Sequence, residues 1–338
     1  MDIRNWLANG VRAGASDVHL SAGMPPLWRI DGTLHALPDT SALSADAVRA
    51  LLLPLLNPAQ WAHVQQQRDA DLACTFEGVG RCRLSVFHQQ RGLAAVFRLI
   101  PTQLPTLAAI GISDTLRRIA DLPQGLALIT GPTGSGKSTT LAALIDDLNQ
   151  REARHILTLE DPIEFIHTPA RCLINQREIA HDAATFASGL RAALREDPDI
   201  VLIGELRDLD SIRLALTAAE TGHLVLATLH TRGAIAAIDR LIDVFPAEEK
   251  ATVRTQLAGT LQAVVSQQLL ARDGGGRVAA HEVLWATSAI RNLIRENRSA
   301  QMLSVLQTGA ALGMQTFEAS LNDLHRRGLI RQPAPLAN

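Results

Sequence analysis

Leu126-Ala-Leu-Ile-Thr-Gly-Pro-Thr-Gly-Ser-Gly-Lys-Ser138 opens as an uncharged apolar run, breaks into glycines and ends on a lysine and a serine. A short apolar run bounded by turn residues reads as a buried strand. Glycines at 131, 134 and 136 permit backbone conformations that other residues avoid. Residues 141–149 then have the spacing of an amphipathic helix. Strand, GxxxxGK[ST] turn and helix together make a phosphate cradle, because successive amides and a helix N-terminus converge on anionic oxygens. On this reading Gly131, Pro132, Thr133, Gly134, Ser135, Gly136, Lys137, Ser138 and Thr139 bind a nucleotide. Lys137 reaches the β- and γ-phosphates, and the Ser138 hydroxyl holds Mg²⁺. Neither lysine of the chain stands in an Asn-Lys-x-Asp guanine loop, so ATP is the expected nucleotide.

Lysine occurs only at Lys137 and Lys250, and every other basic residue is arginine. Arginine is a planar fork and lysine a compact point charge, so position 137 is where the compact charge is needed.

Outward from this stretch the chain alternates strands and helices. Strands read at 126–130, 155–159, 199–204 and 223–229, with helices at 141–149, 186–196 and 209–220. That rhythm predicts an α/β fold with a mostly parallel sheet. Beyond Gly233 the pattern reads as mainly helical, broken by the Gly274–Gly276 turn and a strand at 277–284. Upstream, residues 1–100 read as a smaller α/β domain: helices at 3–13, 45–56 and 58–67, and strands around 17–20, 25–30, 70–76, 81–88 and 93–99. Pro101 and Pro105 mark a linker. The expected division is a domain at 1–100, a linker at 101–113 and a nucleotide domain at 114–338.

Acidic residues gather where such strands end. Leu159-Glu-Asp-Pro-Ile-Glu164 follows one strand, and loops at the carboxyl ends of parallel strands line the ligand crevice. Three carboxylates within five residues repel one another unless a metal or a proton transfer uses them. Ile203-Gly-Glu205 ends another strand. Glu205 can hold Mg²⁺ partly through water or polarise an attacking water; the plainer reading pairs it with Arg207. His223 and His230 bracket a strand at an odd spacing, which places them on opposite faces and disfavours a shared metal. His230, at the crevice end, is a candidate γ-phosphate sensor.

Composition excludes several classes. Of the 338 residues, 47% are apolar and 20% charged, enough for sizeable cores. A net charge of −2, 3% aromatics and no tyrosine leave neither a global positive field nor stacking platforms for nucleic acid. Cys74, Cys82 and Cys172 form no CxxC pair, which argues against a zinc ribbon or a disulfide framework. No apolar run approaches the ~20 residues of a spanning helix. The opening Met1-Asp-Ile-Arg-Asn-Trp lacks a signal-peptide pattern, so a cytoplasmic location is expected.

Taken in order, these motifs resemble the secretion-type hexameric ATPases, and within them the retraction motors of type IV pili. The resemblance rests on Ala15-Ser-Asp-Val-His-Leu, Pro25-Pro-Leu-Trp-Arg-Ile-Asp-Gly, the phosphate loop, Glu160-Asp-Pro-Ile-Glu-Phe and Asn175-Gln-Arg-Glu. It continues through Leu194-Arg-Glu-Asp-Pro-Asp-Ile, Gly204-Glu-Leu-Arg-Asp, Ala218-Ala-Glu-Thr-Gly-His to Leu229-His-Thr, and Ala289-Ile-Arg-Asn-Leu-Ile-Arg-Glu296. It implies a PAS-like N-terminal domain joined to a RecA-like ATPase domain, assembled as a homohexamer. It implies Glu164 as general base, Glu205 as the Walker B acid, His230 as phosphate sensor and His223 as the other His-box position. Arginines of the N-terminal domain would reach the nucleotide, here Arg83, Arg91 and Arg98. The implied setting is the inner face of the cytoplasmic membrane, peripheral and without lipid insertion, against an inner-membrane pilus platform protein and the pilus machinery.

Competing readings are an accessory retraction paralogue, a motor of a related type II secretion or DNA-uptake system, a RecA-like DNA translocase, and a nucleotide-bound scaffold without turnover. One surface feature is also expected. On a helix over 289–298, Ile290, Leu293, Ile294 and Asn297 share one stripe, while Arg291, Arg295 and Arg298 share another. The second stripe is expected to be exposed, so that charge reversal at Arg291 and Arg295 spares folding.

Overall fold

The computed structural model describes residues 2–100, 104–112 and 114–331. Their contacts divide into two units, Met1–Gln103 with Pro162–Phe165, and Leu104–Asp161 with Ile166–Asn338. Of the linker expected at 101–113, positions 101–103 and 113 lie outside the described residues, and 104–112 group with the second unit.

The first unit runs α1 (Ile3–Arg12), β1 (Asp17–Ser21), β2 (Leu27–Ile30), β3 (Thr33–Ala36), α2 (Ala45–Leu52), α3 (Pro58–Gln67), β4 (Asp69–Phe76), β5 (Gly80–Gln89) and β6 (Gly92–Leu99). Its strands form an antiparallel sheet in the order β3-β2-β1-β6-β5-β4. Alternation along β1, β5 and β6 sends Val18, Leu20, Cys82, Leu84, Val86, Ala95 and Phe97 into a core with Leu7, Val48, Leu52 and Val64 of the helices. On the opposite face Arg29, Asp17, Arg98 and Arg83 stand directly side by side on β2, β1, β6 and β5.

The second unit contains α4 (Asp114–Arg117), β7 (Gly125–Thr130), α5 (Lys137–Arg151), β8 (His155–Glu160), β9 (Leu173–Glu178), α6 (Phe186–Ala193), β10 (Ile200–Ile203), α7 (Leu209–Glu220), β11 (Leu224–Leu229), α8 (Ala234–Asp243) and α9 (Lys250–Thr260). It continues through β12 (Leu261–Ala271), β13 (Arg277–Trp285), α10 (Ser288–Arg295), α11 (Ser299–Thr308) and α12 (Phe317–Arg326). The sheet order is β13-β12-β7-β11-β10-β8-β9, parallel except for the β12–β13 pair. Every residue of β7, β10 and β11 is buried, as strands covered on both faces require. This is the expected α/β architecture, a smaller N-terminal domain followed by a domain built on a mostly parallel sheet.

Two strands go beyond the sequence reading. β9 extends one edge, and β12 replaces helix where residues beyond Gly233 read as mainly helical. β12 lies against β7, with Ser266 opposite Thr130, so tertiary pairing overrides the helical preference of its leucines, alanines and glutamines. On β13, Glu282 accepts the Ala234 N–H that starts α8 at 2.8 Å and the Phe317 N–H that starts α12, and burial raises its pKa.

The helix expected over 289–298 is α10, and it corrects the surface reading. Ile290 and Ile294 are buried, and Leu293 packs partly buried against the same core. The helix ends at Arg295, Asn297 adopts a left-handed φ of 56°, and Arg298 sits at the start of α11. No row of three exposed cations forms, because Arg291 turns inward. Its Nε donates to Ala286 O at 2.8 Å, Nη1 to Ala258 O at 2.6 Å and Gly259 O at 2.9 Å, and Nη2 to Gln262 Oε1 at 3.1 Å. The fork thereby closes the carboxyl end of α9, where helical carbonyls lack partners. Burial and then the Arg295 charge lower its pKa, but a guanidinium stays protonated. Charge reversal at Arg291 would set a carboxylate against those carbonyls and does not spare the fold. Arg291→Ala is expected to cost about 2 kcal/mol and to lower the melting midpoint by roughly 4–8 °C. Exposed Arg295→Ala stays within ~0.5 kcal/mol. Calorimetric scans of both variants check this; equal midpoints would remove the fork from the stability account.

Candidate functional site

Because β7, β8, β10 and β11 are parallel, their carboxyl ends share one edge of the sheet. The phosphate loop leaves β7 there. Gly131, Gly134 and Gly136 have φ of 146°, 78° and 88°, all in the region that favours glycine. The helix begins at Lys137, and the first i−4 bond runs from the Thr140 N–H to Gly136 O. The N–H groups before it have no i−4 carbonyl and can serve an anion. Lys137 is buried, its Nζ donating to Gly131 O at 2.8 Å and Pro132 O at 3.1 Å. Ser138 is exposed on the first turn of α5.

Sequence reasoning missed one residue beneath this loop. Gln267 on β12 is 2% exposed. Its Nε2 donates to Ser135 O at 2.6 Å and its Oε1 accepts from Thr140 Oγ1 at 2.7 Å. The approach is close enough to require glycines. A Cβ on Gly131 would lie 2.3 Å from Gln267 O, and one on Gly136 would lie 2.8 Å from Gln267 Nε2. The available signal was the Val264-Val265 pair before Ser266-Gln267, β-branched residues that favour strand over helix.

At the ends of β10 and β11 three side chains meet. Glu205 is half-buried; Arg207 Nε donates to its Oε2 at 2.8 Å, and His230 Nε2 lies 3.2 Å from its Oε1. Arg207 also bridges to Asp161 at 3.2 Å. The bond to Glu205 is the main reason the Arg207 pKa is raised. Thr228 Oγ1 donates to Gly204 O, and the Leu206 N–H to Thr228 O, which fixes the strand end that carries Glu205. The plain pairing of Glu205 with Arg207 and its place beside His230 are thus both present. Glu160 accepts from Thr158 Oγ1 and Gln176 Nε2, and is engaged by its own edge of the sheet.

His223 precedes β11, at the end opposite His230, with Nδ1 3.0 Å from Ala218 O. Glu164 is half-buried in the segment Pro162–Phe165, which groups with the N-terminal unit, and Arg81 Nε donates to the adjacent Ile163 O at 2.9 Å. The acidic run therefore divides, with Glu160 and Asp161 in the second unit. Arg98 and Arg83 are direct cross-strand neighbours; Arg98 pairs with buried Asp17 at 3.1 Å and Arg83 with Asp71 at 3.4 Å. Arg91 is exposed between β5 and β6.

Residues 1–326 match the family model described as type II/IV secretion system protein. The chain is 53% identical over 330 residues to the type IV pilus retraction ATPase PilT of Pseudomonas aeruginosa, covering 98% of this chain and 96% of that protein. It is 50% identical over 310 residues to a twitching motility protein of Neisseria gonorrhoeae, covering 91% of this chain and 83% of that one. Among solved structures, the pilus retraction motor PilT with bound ADP is similar at a TM-score of 0.91 and 42% identity, covering 98% of this chain and 95% of the other.

Proposed function

This chain belongs to the type II/IV secretion system protein family, and from that premise we propose that it is the ATP-hydrolysing motor of type IV pilus retraction. It is an ATPase. The observation that carries the reading is the joint placement of the phosphate loop, Glu205 and His230 on one sheet edge, in a chain 53% identical to a retraction ATPase along almost its whole length.

The loop amides and Lys137 hold the phosphates of ATP, Lys137 exchanging the Gly131 and Pro132 carbonyls for phosphate oxygens. The residues fit a divalent cation: the exposed Ser138 hydroxyl beside the loop and the Glu205 carboxylate after β10, one strand beyond β11 on the same sheet edge, are hard oxygen donors. Ser138 would hold Mg²⁺ directly and Glu205 partly through water, and the ion would neutralise charge between the β- and γ-phosphates. Glu164 accepts the proton of the attacking water, and His230 senses the γ-phosphate while keeping Glu205 in place. Arg83 and Arg98 serve the nucleotide of a neighbouring subunit in a homohexamer. The motor works at the inner face of the cytoplasmic membrane on an inner-membrane platform protein of the pilus machinery. Among the described residues no helix is long and apolar enough to cross a membrane.

Phosphate release measured beside native mass tests this. The expected result is hydrolysis by a particle of six 36.4-kDa chains, and restored twitching when the gene complements a strain lacking its retraction ATPase. An inactive monomer would overturn it.

A further inference from the structure

We infer that Gln267 is a positioning residue for the phosphate loop: its side-chain amide fixes the direction of the Gly136 N–H and so sets the affinity for nucleotide. The inference rests on the reading of this loop as the nucleotide site, and it concerns a residue on a different strand.

A side-chain amide carries donor and acceptor together, and Gln267 uses both, giving a hydrogen to Ser135 O and taking one from Thr140 Oγ1. Ser135 belongs to the loop and Thr140 to the first turn of α5, so the amide ties loop and helix start into one piece. The Ser135 hydroxyl itself is buried without a partner, so the grip on this residue comes through its carbonyl. In a planar trans peptide the C=O and the following N–H point in opposite directions. Pinning Ser135 O toward β12 therefore turns the Gly136 N–H away from β12 and off the protein interior. Gly136 has φ 88°, and glycine moves freely between such conformations, so this peptide needs an external constraint. The Gln267 main chain supplies another, its carbonyl closing the space beside Gly131. A loop held in one orientation binds more tightly than one that visits it part of the time, in proportion to the occupied fraction.

ADP titration by calorimetry, with KM and kcat for ATP, separates this role from a merely structural one. Gln267→Met keeps length and packing while removing both bonds. It is expected to weaken ADP by about 10-fold, with the loop competent roughly a tenth of the time. KM for ATP rises in step. The value of kcat at saturation stays within about 3-fold, because Glu164, Glu205 and His230 are untouched. Gln267→Glu weakens ADP further, since a carboxylate cannot donate to Ser135 O and stands beneath an anion. Thr140→Val removes one partner and weakens ADP by about 3-fold, and Thr140→Ser restores it. ADP affinity within twofold of wild type in folded Gln267→Met overturns the inference. Should that variant not fold, equal affinities of Thr140→Val and Thr140→Ser overturn it. Wild-type protein that binds no ADP removes the nucleotide reading itself, an outcome visible before any variant is made.

Discussion

Lys137→Ala protein is expected to hydrolyse ATP about 10²–10³-fold more slowly than wild type and to bind ADP weakly, a loss of the size seen when one donor to a developing charge is removed. The ammonium is already in place at the end of β7, buried and held by Gly131 O and Pro132 O. Its exchange of those carbonyls for phosphate oxygens therefore needs a short movement and little ordering. Lys137→Arg is expected to fail too, because a planar fork does not fit where a point charge is clasped between two loop carbonyls. The measurement is steady-state phosphate release with ADP titration on each variant. Turnover above a tenth of wild type in either would show that hydrolysis does not run through this loop.

Glu164→Gln is expected to keep nucleotide affinity and to lower kcat by about 10²–10⁴-fold, the range for a lost general base. The amide has the shape of the carboxylate but cannot take a proton from water. Glu205→Gln should behave differently. Glu205 accepts from Arg207 and lies beside His230, so its replacement also slackens Arg207, which bridges to Asp161. Its signature is a higher Mg²⁺ requirement together with a lower kcat, whereas Glu164→Gln leaves the Mg²⁺ requirement alone. Single-turnover assays across a Mg²⁺ series distinguish the two. If both variants retain kcat within twofold, the assignment of these acids is wrong.

Much of the fold was legible because its signals are contiguous. Parallel strands covered on both faces leave unbroken apolar runs at β7, β10 and β11, and the phosphate loop is a single string of residues with a fixed pattern. Glu205 and His230 could be placed at the carboxyl edge of the sheet because His230 follows such a run directly and Glu205 follows one after a single glycine. Gln267 could not, since its partners Ser135 and Thr140 are more than a hundred residues away in sequence. Arg291 failed for another reason. Helical periodicity tells which residues share a face, but not whether a neighbouring element covers it, and the end of α9 covers this one. The division of the acidic run between two units was likewise invisible, because no local pattern separates Asp161 from Pro162.

Glu282 carries a consequence for how the ATPase unit opens. Gly233 has no side chain to cap α8, and the cap comes instead from a strand far along the chain. The same carboxylate also serves the start of α12, beside that helix's own cap, Thr316, which accepts from the Ala319 N–H at 3.1 Å, so only α8 depends wholly on a distant group. If α12 peels away, the carboxylate loses half its ligation and its hold on Ala234 slackens; if the segment after His230 shifts, α12 feels it. The two helix starts thus share one side chain despite their distance in sequence, and they are expected to open together. Amides at 234 and 317 would lose protection against solvent exchange together, and α12 would report on the segment that follows His230.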